Sequence, residues 1–370
     1  MSCETIVILP AYEPPETFLT FTKDLLAASE HVQLIVVDDG SGEAYASRFR
    51  EVGSQARVTL LSHSKNRGKG HALKSAFRYA AKHFPADTTY VCADCDGQHT
   101  VRDVLRVAQE GQRHPDALTL GCRSFSGDGI PLRSSLGNRI TAALFTFLFG
   151  LRVRDTQTGL RAFGQRLLPL FIGIKGGGFE YEMRTLILCP LHHISVRCID
   201  IETVYKKETE GCERISHFSP IADSLKILAV LFSSVAKYAL ASLVSTAVDM
   251  TAFYLLLGVF FSDVGRGYTL LLCTVGARLL SSGVHFLLNF KYVFKATSWT
   301  SLWKYYTVWL GRLAISYTLT LLISRLVSAP LPLTLWKTLA DVLLAALGYR
   351  LLRSWVFAHE GTHAEAARTL

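Results

Sequence analysis

Hydrophobic and polar positions alternate in two different rhythms along this chain. In the first part, short runs rich in β-forming residues, Ile6–Leu9, Leu34–Val37, Val58–Leu61, Tyr90–Ala93 and Ala117–Leu120, are separated by amphipathic stretches such as Phe18–Ala28 and Ala72–His83. Strand-length runs separated by helix-period stretches predict βαβ units and a mostly parallel sheet. In such sheets ligands collect beyond the carboxyl ends of the strands. From Ile221 to Ala236 the pattern is apolar but broken by Asp223, Lys226, Ser233 and Ser234. It predicts an amphipathic helix along a membrane surface, with a surface helix of a soluble domain as the alternative.

Four long apolar segments follow: Tyr238–Phe261, Tyr268–Phe290, Tyr305–Leu326 and Leu333–Gly348. The first three are long enough to cross a hydrocarbon core of about 30 Å. The fourth is interrupted by Lys337 and Asp341. The expected organisation is a cytosolic α/β domain over 1–212 and an interfacial helix region over 213–236. An all-α domain of four transmembrane helices over 237–358 and a cytosolic tail over 359–370 complete it.

Basic residues orient the spans. Lys291, Lys295 and Lys304 separate the second span from the third, and Arg350 and Arg353 follow the fourth. The other loops carry fewer, Arg266 in one and Arg325 and Lys337 near the other. Positive residues favour the cytoplasmic side, so both termini are expected there, in a multi-pass protein of the cell (inner, cytoplasmic) membrane. The N-terminal residues Glu4–Pro10 read as a strand entering a turn rather than as a signal peptide.

One internal repeat is visible. His285-Phe-Leu-Leu-Asn-Phe-Lys-Tyr-Val-Phe294 resembles Gly348-Tyr-Arg-Leu-Leu-Arg-Ser-Trp-Val-Phe357. Each would close a helical hairpin with a basic residue and an aromatic-Val-Phe at the interface. Asp249, Arg278, Arg312 and Asp341 fall inside the spans. Charges there are costly unless paired or hydrated, so the expectation is Asp–Arg pairing between helices, with a path for a sugar headgroup as the alternative.

The net charge of +9 over 370 residues admits nucleic acid, anionic lipid or a phosphorylated substrate as partner. No zinc-finger spacing and no extended Lys/Arg run is present, which argues against nucleic acid. Much of the basic excess flanks apolar spans, which favours membrane and phosphate. Eight irregularly spaced cysteines fit reduced thiols, and Cys92 and Cys95 form a C-x-x-C with no second pair at zinc-finger spacing.

The strongest chemical signal is Asp94-Cys95-Asp96-Gly97-Gln98-His99, directly after the run Tyr90–Ala93. Two carboxylates one residue apart at a strand end can share one hard cation, Mg2+ or Mn2+, which bridges phosphates. Departure of a nucleoside diphosphate needs such a bridge. Two acidic turns follow the first strands. Pro10-Ala11-Tyr12-Glu13 and Asp38-Asp39-Gly40-Ser41-Gly42 offer carboxylates to a base or ribose, and glycines for close approach. Asn66-Arg67-Gly68-Lys69-Gly70-His71 opens a helix whose free N–H groups, with Lys69, would suit an anion. It lacks P-loop spacing.

Together these motifs resemble the family-two glycosyltransferases with the GT-A fold, most closely the polyprenyl phosphate sugar synthases, the group of dolichyl phosphate mannose synthase and the GtrB-like enzymes. The resemblance spans about residues 4–230. It continues through Gly121-Cys122-Arg123, Arg133-Ser134-Ser135-Leu136-Gly137-Asn138 and Asp155-Thr156-Gln157-Thr158-Gly159-Leu160-Arg161. It implies a GT-A (Rossmann-like) domain. The implied reaction is inverting transfer of a hexose from a nucleotide sugar of the GDP-mannose or UDP-glucose type to a dolichyl or undecaprenyl phosphate. Metal would sit at Asp94, Asp96 and Gln98, and the nucleotide at Pro10, Ala11, Tyr12, Glu13, Asp38, Asp39, Lys69 and Asp94. Arg123 and Arg133 would bind phosphate near the acceptor, beside Ser135, Gln157 and Thr158.

Asp155 would orient the acceptor or a basic neighbour, or else form a structural pair with Arg152 or Arg154. Glu180 and Glu182 match a further motif of the family and imply a substrate role. Gly176-Gly177-Gly178 before them reads as a flexible loop. Cys95 stands where the family carries a small residue such as Ala, and a thiol is also small. The acceptor phosphate is already an anion at neutral pH, so little general-base help is required.

Residues 235–358 are similar to the GtrA-like family, through the aromatic-Val-Phe repeats. Such domains are associated with lipid-linked sugar translocation or with anchoring a synthase. Two rival readings follow. One is a lipid-linked sugar flippase whose cytosolic domain only recognises sugar, against which the intact D-x-D and the arginines argue. The other is a processive polysaccharide synthase, which would carry a Gln-x-x-Arg-Trp type motif that is absent here. The sugar, the base, the prenyl chain and self-association are left open by the sequence.

Overall fold

The computed structural model describes residues 4–123, 132–202, 222–260, 266–294, 296, 299–326 and 330–357. They divide into two compact units between Val230 and Leu231.

The first unit is a three-layer α/β domain. Its strands are β1 (Thr5–Ala11), β2 (Val32–Asp38), β3 (Val58–Ser62), β4 (Thr89–Cys92), β5 (Leu118–Arg123), β6 (Arg161–Gly164) and β7 (Val196–Ile201). They form one sheet of order β3-β2-β1-β4-β6-β5-β7. All neighbours are parallel except β6, which runs antiparallel to both β4 and β5. Two reversals cancel, so β5 points the same way as β4, and β1 to β5 all end at one edge.

The five expected strands are present. β6 and β7 were missing from the expectation, and the reason is physical. β6 is only four residues and begins with a buried arginine, while β7 is an edge strand with mostly part-exposed side chains. Neither is a continuous apolar run. β1 is buried at every residue, as a strand covered on both faces must be.

The helices of this unit are α1 (Thr17–Ala28), α2 (Ala46–Gly53), α3 (Lys69–His83), α4 (Val101–Arg113), α5 (Leu132–Phe149), α6 (Leu168–Gly173) and α7 (Glu180–Leu191). Val7, Leu9, Leu34, Val36 and Val91 point to the layer containing α1, α2 and α4. On the opposite face Phe77 of α3 meets Phe163 edge-on at 5.4 Å, and Phe163 meets Phe171 of α6 at 4.7 Å. Thr100 caps α4, its hydroxyl accepting from the Asp103 N–H at 3.1 Å.

Pro10 is tolerated inside the sheet because the β1–β4 pairing ends at Ile8 and Cys92, while Pro10 pairs only with Val37 of β2. Its missing N–H therefore leaves no ladder bond unmade.

The second unit is helical: α8 (Ala222–Phe260), α9 (Arg266–Leu288), α10 (Ser301–Leu326) and α11 (Pro330–Leu351). α8 begins in the first unit and carries the chain into the second. It is continuous, so residues 222–236 are its first turns rather than a separate surface helix. Residues 213–221 lie outside the described residues. Among the described residues one segment, Leu225–Gly258 with mean hydropathy 1.9, is long and apolar enough to cross a bilayer. The other three expected spans are helical over their described residues.

The repeat is structural. α9 and α11 each pass into one π-helical turn, Asn289–Val293 and Leu352–Val356. Phe294 N–H bonds the Asn289 carbonyl at 2.9 Å, and Phe357 N–H bonds the Leu352 carbonyl at 2.8 Å. The two closing phenylalanines stack at 4.9 Å. Outward positions such as Leu243 and Met250 are apolar and exposed, while Asn289 is fully buried. That inversion is how a helix bundle meets lipid.

Candidate active site

The polar motifs gather where β1, β2, β4 and β5 end. Asp94 follows β4, and its carboxylate takes the Lys69 ammonium at 2.5 Å. The same ammonium reaches Glu182 Oε1 at 2.8 Å. Lys69 is the first residue of α3 and Glu182 sits in the first turn of α7, so one lysine ties two helix starts to the strand tip. His99 Nε2 lies 3.4 Å from Asp94. Burial alone would raise the Asp94 pKa, but Lys69 and His99 outweigh it and hold the carboxyl well below its usual range. Asp96 shifts the other way, raised by burial and by the neighbouring Asp94 charge. Its carboxylate accepts the Gln98 N–H at 3.0 Å.

Gly159 brings the downstream motif onto this pair. A β-carbon there would collide with the Asp94 carboxylate. Only glycine lets the loop between α5 and β6 lie against the strand tip.

Asp155 is fully buried and pairs with Arg123, the last residue of β5. Arg123 donates from Nε at 2.7 Å, from Nη2 at 3.0 Å and from its backbone N–H at 3.2 Å. The expected pairing of Asp155 with Arg152 or Arg154 is not the one formed. Arg154 pairs with Asp200 at 2.9 Å instead. Asp155 thus fixes the guanidinium of Arg123, in the bidentate geometry that carboxylates favour. Gln157 is exposed, and its N–H bonds Asp155 at 3.1 Å. Thr158 is buried, its hydroxyl accepting the Leu160 N–H and its carbonyl accepting Arg161 Nε. Arg133 and Ser135 lie in α5, in a turn whose side chains are outside the described residues.

The opening of α3 differs from its expectation. The N–H groups of Arg67 and Gly68, expected to await an anion, donate to Asp39 at 3.1 and 2.7 Å. His63 Nδ1 sits 2.6 Å from the same carboxylate. Asp39 is 3 % exposed, so it is held by the protein itself rather than presented to a ligand. Asp38 is part-exposed and accepts the Ser41 N–H at 2.9 Å, while the Ser41 hydroxyl accepts the Glu13 N–H at 2.9 Å. Glu13 has φ +47, a strained value that the Ser41 bond helps to hold. Pro10 and Ala11 are buried, and Tyr12 is part-exposed at the edge.

Gly176–Gly178, read as a flexible loop, is anchored. Lys74 donates to the Gly176 carbonyl at 2.6 Å and to Ile174 at 3.3 Å. The Glu180 carboxylate accepts the N–H groups of Gly177 and Gly178, each at 3.1 Å. Burial pushes the Glu180 pKa up, but these backbone donors prevail and lower it. Glu180 is therefore a loop anchor, and Glu182 is the partner of Lys69. Sequence reasoning missed that partnership, because nothing local to Glu182 points to a lysine more than a hundred residues earlier.

Asp94 and Asp96 stand one residue apart after β4, and the described residues hold no group of three or more acidic, His or Cys side chains placed to hold a metal ion. Two carboxylates would supply only part of the oxygen shell of a divalent cation, the rest coming from phosphate and water.

Two family models fall on either side of the division between the two units. Residues 6–169 match Glycosyl transferase family 2, and residues 237–357 match the GtrA/DPMS transmembrane domain. The chain thus carries a family 2 glycosyltransferase domain and a GtrA/DPMS transmembrane domain. Its relatives include the UDP-N-acetylglucosamine–dolichyl-phosphate N-acetylglucosaminyltransferase of Methanococcus voltae, 26% identical over 54% of this chain and 85% of that one. The polyprenol monophosphomannose synthase of Mycolicibacterium smegmatis is 25% identical over 48% of this chain and 70% of that one. Among solved structures, glucosyl-3-phosphoglycerate synthase from Mycobacterium tuberculosis, crystallised with Mn2+, UDP and phosphoglyceric acid, aligns with a TM-score of 0.48. It is 18% identical over 63% of this chain and 78% of that one. The glycosyltransferase match lies wholly within the α/β unit.

Proposed function

We propose that this glycosyltransferase moves a sugar from a nucleotide-sugar donor to a polyprenyl phosphate at the cytoplasmic membrane face, with inversion. The observation that carries the reading is the β4 tip, where the Asp94–Asp96 pair meets the Gly159 loop, whose Asp155 fixes Arg123 at the end of β5. Asp94 and Asp96, with Gln98, would hold Mg2+ or Mn2+. That ion would neutralise the charge gathering on the departing diphosphate. Arg123, aimed by Asp155, would neutralise phosphate at the same edge, and Arg133 would join it from α5. Lys69 keeps the Asp94 carboxylate ionised and in place. Tyr12, Glu13 and Asp38 line the end where base and ribose would sit, and Gln157 is the exposed residue of the acceptor loop.

A membrane-borne acceptor agrees with the surface of α5. Leu136, Ile140 and Phe147 are large, apolar and exposed, and their spacing puts them on one stripe of that helix. The two curated relatives named above carry different sugars in their names, so the donor is chosen by experiment. Purified protein in detergent, given undecaprenyl or dolichyl phosphate, Mg2+ or Mn2+, and GDP-mannose, UDP-glucose or UDP-N-acetylglucosamine in turn, is expected to make one lipid-linked product. Asp96→Ala is expected to lose transfer at least a thousandfold with an unchanged melting temperature. Full activity in that variant would remove the metal assignment, and no product from any donor would remove the reaction.

A further inference from the structure

The repeat in the membrane unit has a fixed step. The 63 residues that carry His285 onto Gly348 also carry Asp249 onto Arg312 and Arg278 onto Asp341. The two hairpins therefore hold the same pair of positions with the charges exchanged. In the first hairpin the pair is closed: Arg278 Nη1 lies 3.4 Å from Asp249, whose other oxygen accepts the Ser281 hydroxyl at 2.9 Å. In the second hairpin Arg312 and Asp341 do not pair with each other. Asp341 takes the Ser316 hydroxyl at 2.6 Å. Arg312 instead donates to the Tyr238 hydroxyl at 3.1 Å, and among the described residues no carboxylate pairs with it.

The surroundings of Arg312 are built from all four helices. Tyr238 of α8 packs against His285 of α9 at 5.5 Å and Tyr349 of α11 at 5.4 Å. His285 Nδ1 bonds the Tyr305 hydroxyl of α10 at 2.7 Å. The guanidinium lies over Gly348, where a β-carbon would come within 2.9 Å of it. The repeat has His285 at the equivalent place, so where the first hairpin carries a ring the second has the Arg312 side chain lying against a bare glycine. Lys237, Lys304 and Arg350 flank the same end in sequence, and Arg353 donates to the Tyr349 hydroxyl at 2.9 Å.

An arginine among apolar helices is costly without an anion. Here no carboxylate among the described residues pairs with Arg312, and the Tyr238 hydroxyl stands beside its guanidinium. We propose that Arg312, with Tyr238, forms a phosphate-binding site at this end of the helical unit, separate from the catalytic edge. The group bound is a phosphate monoester, carried on a lipid or free in water. The proposal rests on the reading that the substrate is a lipid phosphate, which the site would hold in the bilayer before or after transfer.

The test counts bound lipid on the full chain in detergent by native mass spectrometry with undecaprenyl phosphate. Inorganic phosphate serves as competitor, and unphosphorylated polyprenol as control. Wild type is expected to carry two phosphate-dependent lipids, Arg312→Gln one, Arg123→Gln one, and the double variant none. Competition at Arg312 by millimolar inorganic phosphate would identify free phosphate as a ligand, and its failure would assign the site to the lipid. Arg312→Asp combined with Asp341→Arg copies the polarity of the first hairpin and keeps a closed pair, so it guards against misfolding. It is expected to lose the same lipid with its melting temperature retained. Retention of both lipids in Arg312→Gln and in the swapped variant would overturn the site. Retention of both lipids in Arg123→Gln, or absence of transfer in wild type, would instead count against the catalytic reading.

Discussion

The two units of this chain bury carboxylates by different means. In the α/β unit, Asp39 is held by two backbone N–H groups and an imidazole, and Asp155 by a guanidinium and the backbone N–H groups of Arg123 and Gln157. In the helical unit, among the described residues, Asp249 is held by side chains, the Ser281 hydroxyl and Arg278. Loops and helix starts have N–H groups to spare, whereas the interior of a helix has spent its own on the helix ladder. A carboxylate beside a helix interior therefore depends on hydroxyls and cations from its neighbours. The cost of losing one contact should then follow how many of the remaining partners are backbone.

The largest effect is expected at Asp155. Asp155→Ala takes the buried carboxylate from the part-buried Arg123 and from two backbone N–H groups, and breaking a buried pair costs about 3–5 kcal/mol. Thermal unfolding of the full chain in detergent should show a first transition several degrees lower, and transfer should fall with it. Asp39→Asn keeps the shape but removes the charge that binds two N–H groups and His63, for about 1–3 kcal/mol. A loss there no greater than that at a surface pair would break the comparison. Asp249→Asn should cost at most about 1 kcal/mol, because Arg278 is 63% exposed and an amide still accepts from Ser281. A larger loss than at Asp39 would invert the ranking.

The smallest effect is chemical rather than energetic. The Cys122 thiol donates to Cys198, and Arg154 beside it adds to the pull, so the Cys198 pKa falls below its ordinary value despite burial. A lowered pKa means more thiolate at neutral pH, and less as the pH drops through the lowered value. Iodoacetamide mapped by mass spectrometry at pH 7 should label Cys198 faster than Cys273, which is buried in α9. Arg154→Ala should slow it, and equal rates would remove the claim.

Much of the fold was legible beforehand. Five strands announced themselves as apolar runs, and the spans as long apolar segments, because both signals come from which residues avoid water. β6 and β7 did not, since a four-residue strand beginning with arginine and an edge strand with part-exposed side chains carry no such signal. In the site, Asp94 and Asp96 were readable because a strand end and a one-residue spacing are local facts. The anchoring of Gly176–Gly178 by Lys74 was not, since its contacts join segments about a hundred residues apart.

By itself the amino-acid order determined the layered domain, the membrane helices, the acidic strand tip and the exchanged charges of the two hairpins. These depend on local periodicity, on spacing and on composition. Only the folded arrangement decided that Asp155 takes Arg123 over its neighbours, that Lys69 joins Asp94 to Glu182, and that Arg312 bonds Tyr238 where Arg278 takes Asp249. An ion pair is chosen within a few ångströms, and only chain crossings bring those atoms within that reach.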